Sequence, residues 1–196
     1  MGYALIGGLP GEARDCTIEF FPRPDVADHA ETMFAALIGE GHVSRVESQS
    51  NDIYLAPMIS TFGKSVSVSH LLFREHEGAP PVPGGASFRR LLSEDRVFRH
   101  ESEPTGTWGV EIHGVIAATG GIATHYNDPF ADLFMEVHEP FRRQGIGAWL
   151  VSQLRRECHD RSLVPAARCR VANAASAHTL ARGGMIECGR LIQAGL

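Results

Sequence analysis

FMEVHEPFRRQGIGAWLVSQLRREC, residues 134–158, passes from a strand-like run through a turn rich in arginine and glycine into a helix-like run. In its last part Ile146, Leu150, Val151, Leu154 and Cys158 recur on one helical face, with Ser152, Gln153, Arg155 and Arg156 opposite. That pattern predicts an amphipathic helix packed on a sheet. A helix N-terminus leaves its first amide N–H groups without partners and carries a partial positive charge, so it attracts anions, phosphates above all. Gly145 and Gly147 spare the backbone a Cβ that would obstruct close approach, and Arg142 and Arg143 add charge at the entrance. Taken alone, RRQGIG fits a plain structural turn equally well. Neither GxGxxG after the strand nor the GK[ST] of a triphosphate loop is present.

Outward from this stretch, the upstream segments FRRLL, TWGVEI, GVIAATGGIATHY and ADLFMEV read as an antiparallel meander, with His113-Gly114 as a tight hairpin turn. Downstream, ARCRVA reads as a strand, AASAHTLARGG as a short helix ending at glycine, and MIECGRLI as the closing strand. EHEGAPPVPGGAS breaks every pattern, which places a linker at residues 76–86. The expected organisation is an N-terminal part over residues 1–75, the linker, and a domain over residues 87–196.

The composition is that of a soluble globular chain: 196 residues, 43% hydrophobic and 21% charged. A net charge of −5 gives no global pull toward nucleic acid or an anionic membrane. The first residues lack the basic start and long apolar stretch of a secretory signal, and no run long enough to cross a membrane occurs, so a cytoplasmic location is expected. Cys16, Cys158, Cys169 and Cys188 form no CxxC pair and read as structural thiols.

The spacing R-x-x-G-x-G at Arg142, Gly145 and Gly147, between a strand ending at Val137 and an amphipathic helix, resembles the acyl-CoA signature of the GNAT family of N-acetyltransferases. VANAASAHTLARGGMIECG resembles that family's second motif, in which a strand ends at an asparagine (Asn173), a helix follows, and a glycine (Gly184) precedes the last strands. The resemblance covers roughly residues 87–196. It implies an α/β fold, a GNAT-type mixed sheet flanked by helices that splays open between the strand ending at Val137 and the strand over residues 168–172. It also implies acetyl-CoA as co-substrate, with pantetheine in the splay and the pyrophosphate on amides from Arg143, Gln144, Gly145, Ile146, Gly147 and Ala148. The Val137 amide would then hold the thioester carbonyl, as a fixed dipole where negative charge develops. Asn173 matches a cofactor contact in the family and is equally a helix cap by its residue type; Ser176 adds a second contact. One departure is plain. Seven residues after Asn173, where many members carry a tyrosine acid, stands Leu180.

The chemistry implied is acetyl transfer to a primary amine of a small molecule or peptide by direct attack in a ternary complex. A catalytically weak acyl-CoA-binding regulator or interaction protein is the alternative. A lysine-like ammonium with pKa near 10.4 must lose its proton, at a cost of about 4–5 kcal/mol at pH 7. Glu136 is the first candidate base and His125 the second; Tyr126 is a candidate acid in place of the missing tyrosine. Alternation also allows Glu136 an ordinary solvated or salt-bridged role. His113, His138, His159 and His178 read as surface residues. No HExxH or other metal-ligand spacing occurs, so no metal is expected. Neither nucleic acid nor membrane is an expected partner, and a homodimer is compatible with the sequence.

The segment between FRRLL and TWGVEI is too short for the two helices that family members carry there. The first 75 residues are available to cover the exposed wall. Their order of strand, helix, strand, helix, strand repeats that of the C-terminal half, which suggests a degenerate GNAT-like half-repeat; an unrelated cap is the other reading. In a repeat, Asp28 and Ala30 would stand where the phosphate-site glycines belong.

Overall fold

The computed structural model describes residues 2–8, 11, 13–40, 43–124 and 128–196. The chain begins with β1 (Gly2–Gly7), β2 (Cys16–Pro22), a 3-10 turn (Pro24–His29), α1 (Ala30–Gly39), β3 (Arg45–Gln49), α2 (Leu55–Phe62) and β4 (Lys64–Glu75). It continues through β5 (Ala86–Arg90), β6 (Trp108–Ile112), β7 (Val115–Ala123), β8 (Phe130–Val137), a 3-10 turn (Glu139–Phe141), α3 (Ile146–Asp160), β9 (Val164–Arg170), α4 (Ala174–Arg182) and β10 (Met185–Gly195). Two compact units result, one of Met1–Leu71 with Gly189–Leu196, the other of Leu72–Cys188. This division differs from the expected one. Residues 76–86, read as a linker, belong to the second unit, and the end of β10 belongs to the first.

The first unit has strand order β1-β2-β3-β10-β4. Its core gathers Phe34 and Leu55, both fully buried, with Phe20, Val46, Met58 and Ile59. The Phe34 ring meets Phe20 edge-on at 5.2 Å. β1 escaped the sequence reading, because its flanking glycines and half-exposed side chains give no clean alternation. β2 and β3 run parallel and pair only at Cys16↔Arg45 and Thr17↔Val46.

In the second unit the order β9-β8-β7-β6-β5 combines the expected antiparallel meander with one parallel pair, β8 and β9, joined through α3. His113 (φ 49) and Gly114 (φ 80) make the β6–β7 turn, the two positive φ angles that a two-residue hairpin of matching twist requires. Leu150, Val151, Leu154 and Cys158 of α3 are buried, as their spacing predicts, and α3 packs against β7 and β8.

Two residues assigned to the polar face of α3 are withdrawn from solvent, Ser152 buried and Arg155 half-buried. Ser152 donates to the Trp149 carbonyl at 2.7 Å. The Arg155 side chain is 11% exposed and ion-paired with Glu75 at 2.7 Å. Its guanidinium also donates to the carbonyls of His76 (2.7 Å), Gly78 (2.9 Å) and Gly183 (2.9 Å). Gly184, at φ +86, leaves the space that Arg155 occupies: an added Cβ would lie 1.9 Å from Nη1. Among the described residues no helix is long and apolar enough to cross a membrane.

Candidate active site

β8 and β9 are in register only at Phe130↔Val164, Ala131↔Pro165 and Asp132↔Ala166, and part beyond that point. On the other side β8 remains paired with β7 as far as Val137. The His138 amide donates to Ala117 O at 2.9 Å. Because hydrogen-bonded residues alternate along an antiparallel ladder, the preceding amide, that of Val137, is turned away from β7 toward the gap. The sheet thus opens on the β9 side of β8, beside the Val137 amide.

The turn into α3 closes the same region. Arg143 (φ 64) and Gly145 (φ 80, ψ −2) are left-handed, and Gly145 caps α3, with its carbonyl accepting from the Trp149 amide at 3.0 Å. The two glycines serve different ends. Around Gly145 an added Cβ would meet nothing within 4 Å, so the residue is needed for its conformation. At Gly147 an added Cβ would lie 3.0 Å from both Val137 Cγ2 and Thr179 Cγ2, so this glycine sets the approach of α3 to β8 and α4. The side chains of Ile146 and Ala148 are buried in the core and leave only their backbones to the turn.

The arginines also divide. Arg142 Nε donates to Val137 O at 3.1 Å and its Nη2 reaches Glu101 at 3.3 Å, so it braces the end of β8. Gln144 donates to Pro140 O at 3.2 Å, within the turn. Arg143 is exposed and has no ion-pair partner among the described residues.

Glu136 is 8% exposed. Its Oε1 accepts from the Glu101 amide at 2.8 Å, and its Oε2 from the amides of Ser102 (3.0 Å) and Glu103 (2.9 Å). Burial pushes this carboxyl up, but the three amides outweigh it, and the group is held below its ordinary range. Beside it, Thr119 Oγ1 lies 2.9 Å from His100 Nε2, and His100 Nδ1 lies 2.9 Å from Glu103 O. A carbonyl only accepts, so Nδ1 carries a proton. The segment 100–103 is thus fastened to β7 and β8 through one histidine and one carboxylate. His138, read from the sequence as a surface residue, instead stacks on Phe98 at 4.8 Å and 3°. Its Nδ1 is buried without a hydrogen-bond partner among the described residues.

Asn173 caps α4, its side-chain oxygen accepting from the Ser176 amide at 3.0 Å. Burial pushes the Cys169 thiol up, while a hydrogen bond with the Ser176 side chain acts in the opposite sense. Leu180, where many relatives carry tyrosine, is a core residue at 3% exposure. His125 and Tyr126 lie outside the described residues. No group of three His, Cys, Asp or Glu residues is gathered as a metal site among the described residues. The sequence reading missed Arg155 and the residues it holds, for which only the glycine pair 183–184 gave a signal.

The family model described as "Acetyltransferase (GNAT) family" matches residues 69–185. Among solved structures, a GNAT-family acetyltransferase from Colwellia psychrerythraea is 13% identical over all of this chain and 81% of its own, with a TM-score of 0.77. A GCN5-related N-acetyltransferase from Kribbella flavida is 16% identical over 99% of this chain and 89% of its own (TM-score 0.60). A tandem GNAT protein from the clavulanic acid biosynthesis pathway is 13% identical over 94% and 76% respectively (TM-score 0.52). Such identities speak to the fold alone. Among curated proteins no sequence matches the chain.

Proposed function

The chain belongs to the GNAT family of acetyltransferases, and from that membership we propose that it transfers an acetyl group from acetyl-CoA to a primary amine, in the gap between β8 and β9. The observation that carries the reading is the Val137 amide, turned into that gap beside the N-terminus of α3. Acetyl-CoA supplies a thioester-activated acyl group. The chain's own residues receive it: amides from Arg143 to Ala148 and the Arg143 guanidinium suit a diphosphate, and the Val137 N–H suits a carbonyl oxygen that gains negative charge. In Asn173 the cap uses the oxygen, which leaves the amide nitrogen as the donor suited to a cofactor carbonyl.

Glu136 fits a positioning role better than that of a base. A carboxylate already shared among three amides and held below its ordinary range is a weak acceptor for an ammonium proton. In this reading it holds residues 101–103 as one wall of the acceptor side, and the ammonium proton passes to solvent. Leu180 and the occupied Glu136 also favour the second reading, an acyl-CoA-binding protein with little turnover. An acetyl-CoA assay across a panel of small amines and peptides separates the two. Amine-dependent release of free thiol supports the transferase; tight acetyl-CoA binding with no release for any amine supports the binder.

The first unit is proposed to be a half-repeat. Its β2–α1–β3 segment contains a parallel pair that is in register only at its start, as in β8–α3–β9. A 3-10 turn precedes the helix in both, and α1 is capped by His29, next to Asp28, where α3 has Gly145. The chain should therefore bind one acetyl-CoA; a titration saturating at two per chain would overturn this.

A further inference from the structure

Alternation along β8 puts Asp132, Phe134 and Glu136 on one face of the sheet, opposite to Met135 and Val137, the pair that Gly147 of α3 approaches. Thr119 and Gly121 of β7, in register with Glu136 and Phe134, continue that face. An added Cβ at Gly121 would lie 2.4 Å from Phe134 Cζ, so the ring lies across β7 as an apolar floor. The connection between β5 and β6, too short for two helices, covers this face as a closed loop. Its base is the Leu91 amide donating to Thr107 O at 2.9 Å, and His100 and residues 101–103 tie it to β7 and β8.

Four carboxylates border the face, and three are engaged. Glu136 accepts from its three amides, Glu101 pairs with Arg142 at 3.3 Å, and Asp132 pairs with Arg168 at 3.4 Å. Glu103 differs. Its main chain is fixed on both sides, the amide donating to Glu136 Oε2 at 2.9 Å and the carbonyl lying 2.9 Å from His100 Nδ1. Its side chain is exposed and has neither a hydrogen bond nor an ion pair among the described residues. Surrounding groups push this carboxyl up: burial first, then the negative charges of Glu136 and Asp132, while Arg168 of β9 and His100 act in the opposite sense. Since Arg142 and Arg168 each offset one carboxylate, the charges of Glu103 and Glu136 remain in excess. A cation beside Glu103 relieves that repulsion, and a neutral group does not.

We infer that Glu103 is the counter-ion of the acceptor's ammonium, so that the chain selects alkylamines, which are cations at neutral pH, over arylamines, which are neutral there. The inference rests on the acetyl-transfer reading above and names its substrate class. Glu103 acts as a specificity residue. Glu136 fixes its backbone, the Phe134 ring offers apolar surface to an alkyl stem, and the ammonium proton leaves to solvent past the exposed carboxylate.

Thiol release from acetyl-CoA by the full chain, on matched alkylamine and arylamine acceptors beginning with phenethylamine and its isomer 4-ethylaniline, tests this at pH 7. Wild type should show the higher kcat/KM for the alkylamine. Glu103→Gln should raise KM for the alkylamine by about 10-fold or more, the range of a hydrogen bond to a charged group. It should leave KM for the arylamine and for acetyl-CoA unchanged. Glu103→Asp keeps the charge and should recover most of the loss, whereas a side chain serving only the fold would alter both acceptors alike. Equal changes in KM for the two acceptors, no change for either, or a wild-type preference for arylamines overturns the inference while leaving acetyl transfer intact. If wild type releases thiol with no amine, both readings fall.

Discussion

Arg155 and Glu75 meet through two hydrogen bonds to one carboxylate oxygen, 2.7 Å from Nη2 and 3.0 Å from Nε. The pair joins the middle of α3 to the end of β4, and the same guanidinium holds the carbonyls of residues 76, 78 and 183. Arg155→Ala would leave a half-buried carboxylate and three carbonyls short of a donor. It should cost roughly 1–3 kcal/mol of stability by denaturant unfolding. Arg155→Lys should recover part of the stability. An unchanged denaturant midpoint in Arg155→Ala would contradict this bracing role.

Glu136→Gln presents one acceptor oxygen and an NH2 group to three amide donors, so residues 101–103 should detach from β8. For a lysine-like amine, kcat/KM should drop on the order of 10-fold. In a positioning role the deficit stays constant from pH 7 to pH 9. A deficit that shrinks with rising pH, as solvent deprotonates the amine, would return the proton-accepting role to Glu136.

At Gly145, Asn and Asp separate conformation from charge. Both tolerate a left-handed backbone better than other side chains, and the space around the position is open. Gly145→Asn should fold and retain most acetyl-CoA affinity. Gly145→Asp should fold and lose acetyl-CoA binding, since a carboxylate at the start of α3 opposes a diphosphate. Gly147→Ala, by contrast, should cost about 1–3 kcal/mol through contact with Val137 and Thr179. Equal affinities of the Asn and Asp variants, measured by calorimetry, would refute an anion site.

Acid stability should depend on Asp95. Hydrogen bonds from Arg89, then from the Leu92 amide, hold its carboxyl down at about 2. The folded value lies below the unfolded one, near 3.9, so the contribution is complete above that pH and is lost as pH falls toward 2. Denaturant midpoints of wild type and Asp95→Asn should therefore differ more at pH 5 than at pH 2.5. A gap that widens on acidification would contradict the assignment.

The sequence by itself determined what depends on neighbours a few residues apart. The spacing of Ile146, Leu150, Leu154 and Cys158 specified α3 and its buried face, since side chains three and four apart share one side of any α-helix. His113-Gly114 specified a hairpin, and the arginine and glycine spacing at 142–147 pointed to the family that the match over residues 69–185 shows. Tertiary structure alone decided the state of Glu136, because its three donors come from positions 33 to 35 residues away along the chain. It also decided that Arg155 is half-buried and ion-paired, its partner lying 80 residues upstream. By helical periodicity Arg155 belongs on the exposed face. What buries it is a strand end and a proline segment whose position no local pattern encodes. Burial and charge pairing are properties of distance in space, and a pattern read along the chain carries only distance in sequence.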